Sequence, residues 1–369
     1  MIARVKTSHT VIRALRIALI APVHGVQPPM AGGSVQLVCR LAERLAARGH
    51  DVTVLGTGEP DPPPGVFYDW IDTRRSTTNR DDPFLVEALH SVNVDRLLDG
   101  SDFDVVHDHT LTGPLLVHRH QAATLHTVYG AVPDTVGVLP SGGVLRLRLI
   151  AVSDHQRTLA PNRAWLGTVH PAVAVDAYPF GGERDGSCVI LDELGDAQDT
   201  QAAVCAAHRA RRSAVVVGPG SVPGRPQPVD PRLANLLVAG DALTGPQSAA
   251  QRIERIARAH CLVAPLTGAW PFSLAMVEAL ACGTPVVALR RGPAAEIVEH
   301  GVTGWLCDHP DELADAIAEV DGLRPEACRR HALDRFDLPR MAEDLDAVYQ
   351  AAAPTTHYPS IPLRPALPA

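Results

Sequence analysis

Three stretches of the chain carry residues whose types and spacing suit chemistry. Glu278 stands in a helical run, Pro271 to Ala281, with apolar Leu274, Met276, Val277 and Leu280 around it. That spacing sets the carboxylate at the border between a buried face and a cleft. A partly buried carboxylate needs hydrogen-bond donors, and sugar hydroxyls would supply them. Gly32 and Gly33 close the loop that leads from Pro22 into the helical pattern 34–48. Glycines there offer free backbone N–H groups at a helix N-terminus, a place that favours anions; they equally suit a turn that needs positive φ. The dinucleotide fingerprint G-x-G-x-x-G is absent. His107, Asp108 and His109 end an apolar run from Phe103. Alternate residues of an extended segment face one side, so the two histidines could share an ion, yet no third ligand is apparent and no metal site is expected.

The elements that must position these residues alternate strand and helix. Arg16 to Ala21 is the continuous apolar run of a strand buried on both faces of a parallel sheet. The helix 34–48 carries Val35, Val38, Leu41 and Leu45 on one face, ends at Gly49, and gives way to the strand Val52 to Leu55. A helix over 84–98, a strand over 103–107, a strand within 122–130 and a strand Leu149 to Ser153 follow, with Ser153-Asp154 capping the next helix. Past a link at 166–182 come the strand Val189 to Leu191, a helix over 200–211, a strand over 214–218 and a Pro/Gly-rich loop over 219–231. The segment Leu236 to Ala239, a helix over 247–259 and the strand Leu262 to Ala264 lead to the run that holds Glu278. Gly283-Thr284-Pro285 breaks that helix before the strand Val286 to Leu289. A last helical pattern spans 339–352, and the proline-rich tail 354–369 is expected to be disordered.

A chain of 369 residues with 46% hydrophobic content suffices for two α/β domains. The formal net charge of -8, with no basic run interleaved with aromatics, argues against nucleic acid as a partner. The seven cysteines are an odd number without CxxC spacing, as expected of reduced thiols in a cytoplasmic protein. The N-terminus carries basic residues but runs straight into the first strand, so no signal peptide is read there. No apolar stretch approaches the ~18 residues of a membrane span.

The run from Pro271 to Gly304 resembles the donor-binding segment of glycosyltransferase family 4, retaining enzymes of the GT-B fold. That pattern is Glu-Pro-Phe-Gly, four variable residues and Glu-Ala, then Gly-Thr-Pro-Val, then Glu-Ile-Val, Gly and Thr-Gly. Pro271-Phe272, Glu278-Ala279, Gly283-Thr284-Pro285-Val286, Glu296-Ile297-Val298, Gly301 and Thr303-Gly304 fall in register. The resemblance implies two Rossmann-like domains facing each other across a cleft: 1–168 on the acceptor side, 169–339 binding the donor nucleotide, and a C-terminal helix at 340–353 crossing back. It implies a nucleotide sugar as donor, with Glu278 on the ribose and Trp270, Phe272, Ser273 and Leu274 lining the donor site. Residues 122–130 are similar to the family strand that ends in Thr-x-His, which makes His126 the contact to the donor sugar; a histidine satisfied in the core is the alternative. The Gly32-Gly33 loop would approach the phosphates and the acceptor.

Departures from the pattern fall at the same site. Trp270 stands where the family has its first glutamate, and Ser273 replaces a glycine. The family's diphosphate arginine and lysine correspond to Glu193 and Gln198. Two anionic groups ~4 Å apart repel by roughly 4 kcal/mol at an effective dielectric near 20, where an arginine would attract as strongly. The resemblance implies retaining transfer, in which stabilising the leaving diphosphate is the main work of the site. Substitutes for the lost cations are the backbone at Gly32-Gly33, the helix start near Pro271, and Arg290 and Arg291, a pair that could equally be solvated. No cofactor is required, though a divalent cation held by Asp192, Glu193 or Asp196 would compensate. Two readings follow: a glycosyltransferase acting on an unidentified acceptor, or a non-catalytic relative that binds an active transferase.

Overall fold

A computed structural model describes residues 13–23, 34–56, 66–70, 83–113, 122–130, 148–191, 197–218, 231–244, 247–264 and 270–353. Two parallel sheets organise them. The first comprises β1 (Arg16–Ile20), β2 (Asp51–Gly56), β3 (Val66–Trp70), β4 (Val105–Asp108), β5 (Ala123–Val128), β6 (Arg148–Ala151) and β7 (Trp165–Thr168), in the order β3-β2-β1-β4-β5-β6-β7. The second comprises β8 (Cys188–Leu191), β9 (Ala214–Val217), β10 (Ala242–Thr244), β11 (Cys261–Ala264), β12 (Val286–Leu289) and β13 (Gly304–Cys307), in the order β10-β9-β8-β11-β12-β13. The helices of the first half are α1 (Ser34–Ala47), α2 (Pro83–Leu98) and α3 (Asp154–Leu159). Those that follow are α4 (Ala197–Arg209), α5 (Pro231–Leu236), α6 (Ala249–Arg258), α7 (Leu274–Ala281), α8 (Ala294–Ile297), α9 (Leu313–Glu319), α10 (Pro325–Phe336) and α11 (Leu338–Ala352).

Parallel strands need long crossovers, and the helices supply them while covering the sheet faces. Strand order reverses between β1 and β4 in one sheet and between β8 and β11 in the other. Such switch points open a crevice beyond the carboxyl ends of the strands, where ligands bind in open α/β sheets.

The two halves are joined twice. In the first core, Leu37, Val38, Leu41 and Leu45 of α1 pack with Ile17, Leu19, Val52 and Val105 of the sheet. Leu338, Met341, Leu345 and Tyr349 of α11 belong to that same cluster, so the last helix returns to the first sheet. Its return is pinned by Asp346, which takes Arg48 at 2.8 Å and lies 3.2 Å from His50 Nε2. Where the chain crosses between the halves, Val173 and Asp337 pair side by side, with Val173 N–H donating to Phe336 O at 3.0 Å and Leu338 N–H to Val173 O at 3.2 Å.

Two expectations from the sequence are corrected. The segment 236–239 holds no strand: α5 ends at Leu236, a turn follows, and the edge strand β10 starts at Ala242. Helix α7 starts at Leu274 rather than Pro271, because the Ser273 hydroxyl accepts the Met276 N–H and caps it there. Among the described residues no helix is long and apolar enough to cross a membrane, and the tail 354–369 lies outside them.

Gly304 shows how closely β12 and β13 approach: a Cβ there would lie 2.0 Å from the Val286 carbonyl oxygen, which is backbone and cannot turn aside. Gly304→Ala is expected to cost about 1–3 kcal/mol of stability or more. Gly322→Ala, with nothing within 4 Å of its Cβ, should stay within about 0.5 kcal/mol of the parent. Urea midpoints of the two variants check the contrast, and equal midpoints would contradict the packing.

Candidate active site

At the carboxyl end of the first sheet, β4 and β5 run in register so that Asp108 lies beside His126. Both side chains are buried, and His126 Nδ1 is 3.7 Å from Asp108 Oδ2. The neighbouring histidines are engaged elsewhere. His107 lies 2.6 Å from the Tyr349 hydroxyl of α11 and 2.7 Å from Thr127 Oγ1, and His109 lies 2.8 Å from the Tyr129 hydroxyl. Burial pushes His109 down to about 3 and His107 well below the usual imidazole range, so both stay neutral. Among the described residues no cluster of three or more metal-ligating side chains is assembled. Gln156 fixes the backbone after β5 by donating to Val128 O at 2.8 Å and Gly130 O at 3.1 Å.

At the carboxyl end of the second sheet, every residue of α7 is buried, Glu278 included. The expected border position is therefore corrected: the carboxylate sits wholly inside and takes its donors from the protein. Tyr178, from the link between the halves, donates to Oε1 at 3.0 Å, and Arg252 of α6 lies 3.3 Å from Oε1 and 3.2 Å from Oε2. Burial, then the charge of Glu278, drives the Tyr178 phenol upward, which keeps its proton on that bond. A capping box at Ser248 and Gln251 sets the first turn of α6 and with it Arg252.

The other donor-site candidates divide. Phe272 is half-buried and stacks on His170 with ring centroids 5.8 Å apart, and Trp270 is half-buried beside it in sequence. Ser273 is spent on its cap and Leu274 on the core. Arg290 is exposed just past β12, where it pairs with Asp308 at 3.1 Å and donates to Leu306 O at 3.3 Å. Arg291 is exposed, with no side-chain partner among the described residues. Gly32, Gly33, Asp192, Glu193 and Asp196 lie outside the described residues, as does the side chain of Gln198.

Between the two ends stands Glu296 of α8. Its carboxylate accepts the Asp154 N–H at 2.8 Å and the His155 N–H at 2.7 Å, both at the start of α3, and meets His170 Nε2 at 2.8 Å. Burial disfavours its charge, but His170 and the two backbone donors outweigh that and hold the carboxyl below the usual range. His170 thus joins Glu296 to the Phe272 ring. Sequence reasoning gave Glu296 only a place in the motif and missed Arg252, Tyr178 and His170. One signal was available for Arg252, since a carboxylate in an apolar helix demands a donor; which donor was not legible.

Sequence comparison matches residues 31–170 to the family described as Glycosyltransferase Family 4 and residues 191–320 to Glycosyl transferases group 1. The phosphatidyl-myo-inositol mannosyltransferase of Mycobacterium leprae is 26% identical over 383 residues, covering 92% of this chain and 97% of the relative. Among solved structures, AviGT4, a glycosyltransferase involved in avilamycin A biosynthesis, aligns with a TM-score of 0.64 at 21% identity over 91% of this chain and 97% of its own. Anabaena HepE in complex with UDP-glucose aligns with a TM-score of 0.61 at 17% identity over 91% of this chain and all of its own. The shared architecture is GT-B.

Arg252→Ala takes a cation from a fully buried carboxylate and is expected to destabilise by about 3–5 kcal/mol. Adding Glu278→Gln to it should recover part of that loss, because the uncompensated charge is then gone. Chemical denaturation of both variants reads this, and an unchanged Arg252→Ala would refute the pairing. For Glu296 the folded carboxyl is depressed below the ordinary 4.5, so its stabilisation is present above that value and lost as pH falls through the lower folded value. Glu296→Gln should therefore flatten the acid side of the stability profile while lowering stability at neutral pH. Denaturation midpoints from pH 7 to acid, with parallel curves for parent and variant, would count against the tie.

Proposed function

The chain is a glycosyltransferase, with family-4 sequence in its first half and group-1 sequence in its second, and on that footing we propose that it transfers a sugar, with retention, from a nucleotide-sugar donor. The donor lies against the carboxyl ends of β8, β11 and β12, beside Trp270 and Phe272, and the sugar reaches toward His126. What carries this reading is the arrangement of the chemistry-bearing residues. Asp108 ends β4 at one switch point with His126 beside it within β5, the segment opening at Trp270 follows β11 at the other, and Glu296 bridges from the second half to the first.

Several observations shape the mechanism. Glu278 is wholly buried and already held by Tyr178 and Arg252, so it fixes the helix that follows Trp270 and Phe272 and leaves contact with the donor to the residues before that helix. The leaving diphosphate still needs positive charge. With Arg290 paired to Asp308, the proposed substitute is a divalent cation, which Asp192, Glu193 or Asp196 would hold and which would supply the positive charge that the leaving group needs. The name of the M. leprae relative supports an inositol-bearing acceptor, and the UDP-glucose complex of HepE supports a UDP-sugar donor.

The test is a thermal-shift and donor-hydrolysis panel of UDP-glucose, other nucleotide sugars and their diphosphates, each with Mg²⁺ or Mn²⁺ and with excess chelator, and with myo-inositol phosphate as an acceptor arm. A donor at 100 times its dissociation constant should stabilise the protein by about 2.7 kcal/mol, and the shift should collapse in chelator. A shift untouched by chelator removes the cation, and silence across the panel removes the donor reading.

A further inference from the structure

His155 stands where the two halves of the chain come together beside Trp270. It is the second residue of α3, which follows β6 at the carboxyl end of the first sheet. Its backbone is fixed on both sides: the N–H donates to Glu296 of the second half at 2.7 Å, and the carbonyl accepts the Thr158 hydroxyl at 2.7 Å. The Ser153 hydroxyl accepts the Gln156 N–H at 3.0 Å and holds the turn that carries the ring. Opposite the ring, the chain leaves β12 through Gly292, which takes a φ of 55°. A Cβ built on Gly292 would lie 3.9 Å from His155 Cδ2 and 3.7 Å from the Trp270 carbonyl oxygen. An imidazole of the first half, a carbonyl of the second and a glycine without a side chain therefore border one small space. His155, Trp270 and Gly292 are all half-buried and Arg291 beside them is exposed, so the space opens to solvent. Among the described residues, the ring nitrogens of His155 and the Trp270 carbonyl have no hydrogen-bond partner.

The two polar groups decide what fits between them. A carbonyl oxygen only accepts, so it repels a phosphate or carboxylate oxygen and takes an O–H. Cδ2 is bonded to Nε2, so the Nε2 edge of the ring borders the space, and an imidazole with its proton there donates to an oxygen. A hydroxyl does both at once: its oxygen accepts from the ring and its proton goes to the carbonyl. Resting on the reading that the donor lies beside Trp270 and Phe272, we propose that His155 binds a hydroxyl of the donor's sugar, with the Trp270 carbonyl accepting from that same hydroxyl, and so helps to select the sugar. Trp270 brings no carboxylate to this place, which leaves the hydroxyl to a ring from the other half. The contact depends on α3 standing against α8, because the bond from the His155 N–H to Glu296 sets the ring's distance from Gly292.

The experiment is titration calorimetry on the full chain with Mg²⁺ present, using UDP-glucose beside UDP and, as a second pair, GDP-mannose beside GDP. Within the pair that binds, His155→Ala should weaken the nucleotide sugar about three- to tenfold, the worth of one neutral hydrogen bond, and leave the diphosphate within about twofold. His155→Gln keeps an N–H donor and should recover part of the loss. Gly292→Asn reads the same space without touching the ring: asparagine tolerates a left-handed backbone, and its side chain takes the place of the hydroxyl. It too should weaken the nucleotide sugar and spare the diphosphate. Three results overturn the proposal while the donor reading stands: a loss shared equally by sugar nucleotide and diphosphate, a His155→Ala protein that matches the parent, or a Gly292→Asn protein that keeps its sugar-nucleotide affinity. A parent that binds neither pair retires the donor reading and this contact with it.

Discussion

The interaction on which the arrangement of the cleft depends is a single carboxylate shared between the halves. Glu296, on a four-residue helix of the second sheet's domain, receives two backbone N–H groups from the first and one imidazole, that of His170, from the link between them. The covalent crossings at 173 and 337 keep the halves adjacent, yet a paired pair of segments is a hinge and leaves rotation open. Glu296 adds a further tie beside them, through His170, whose ring meets Phe336 at the crossing. Each of its donors is charge-assisted, the stronger kind of hydrogen bond, and the same carboxylate fixes His170, on which Phe272 stacks. The orientation of the Phe272 ring therefore follows from a contact between the two halves as well as from the loop that carries the ring.

Buried charge is handled differently at the two switch points. Glu278 is enclosed on all sides and compensated by Arg252 and Tyr178, so its contribution is orientation, and the breakage of its pair would be costly. Asp108 is equally buried, but its surroundings are the donating backbone N–H of Thr110, a glycine that leaves space for an oxygen, and a histidine at ion-pair range. The first arrangement spends its charge on the fold. The second keeps a carboxylate and an imidazole together at the end of a parallel sheet, where α/β proteins meet their ligands. The flanking histidines, held neutral by burial, bring no competing charge to it.

Much of the fold was legible because parallel strands buried on both faces give continuous apolar runs, as at Ile17 to Ile20 and Val286 to Leu289, which no amphipathic element imitates. A cap was legible too: Ser153 stands where a short hydroxyl side chain satisfies a helix N–H group. The segment 236–239 misled because a helix end and an edge strand of three residues, β10, have too little periodicity to separate. Ser273 misled in another way. Its hydroxyl suits a ligand or a cap equally well, and the backbone geometry of α7 decides for the cap.

The sequence by itself determined the class of the protein: two runs of alternating strand and helix, the motif from Pro271 to Gly304, and the three positions at which that motif and its phosphate-binding partner segment lose their charged residues. These are local facts, carried by spacing and residue type. Only the tertiary structure decided what each charge does. Arg252 meets Glu278 from another helix, Arg290 turns to Asp308 on the surface, His107 reaches a tyrosine of the last helix, and Asp108 meets His126 through strand register. Coulomb energies and hydrogen bonds depend on distances of a few ångströms, and distances between residues far apart in the chain exist only once the sheets are assembled.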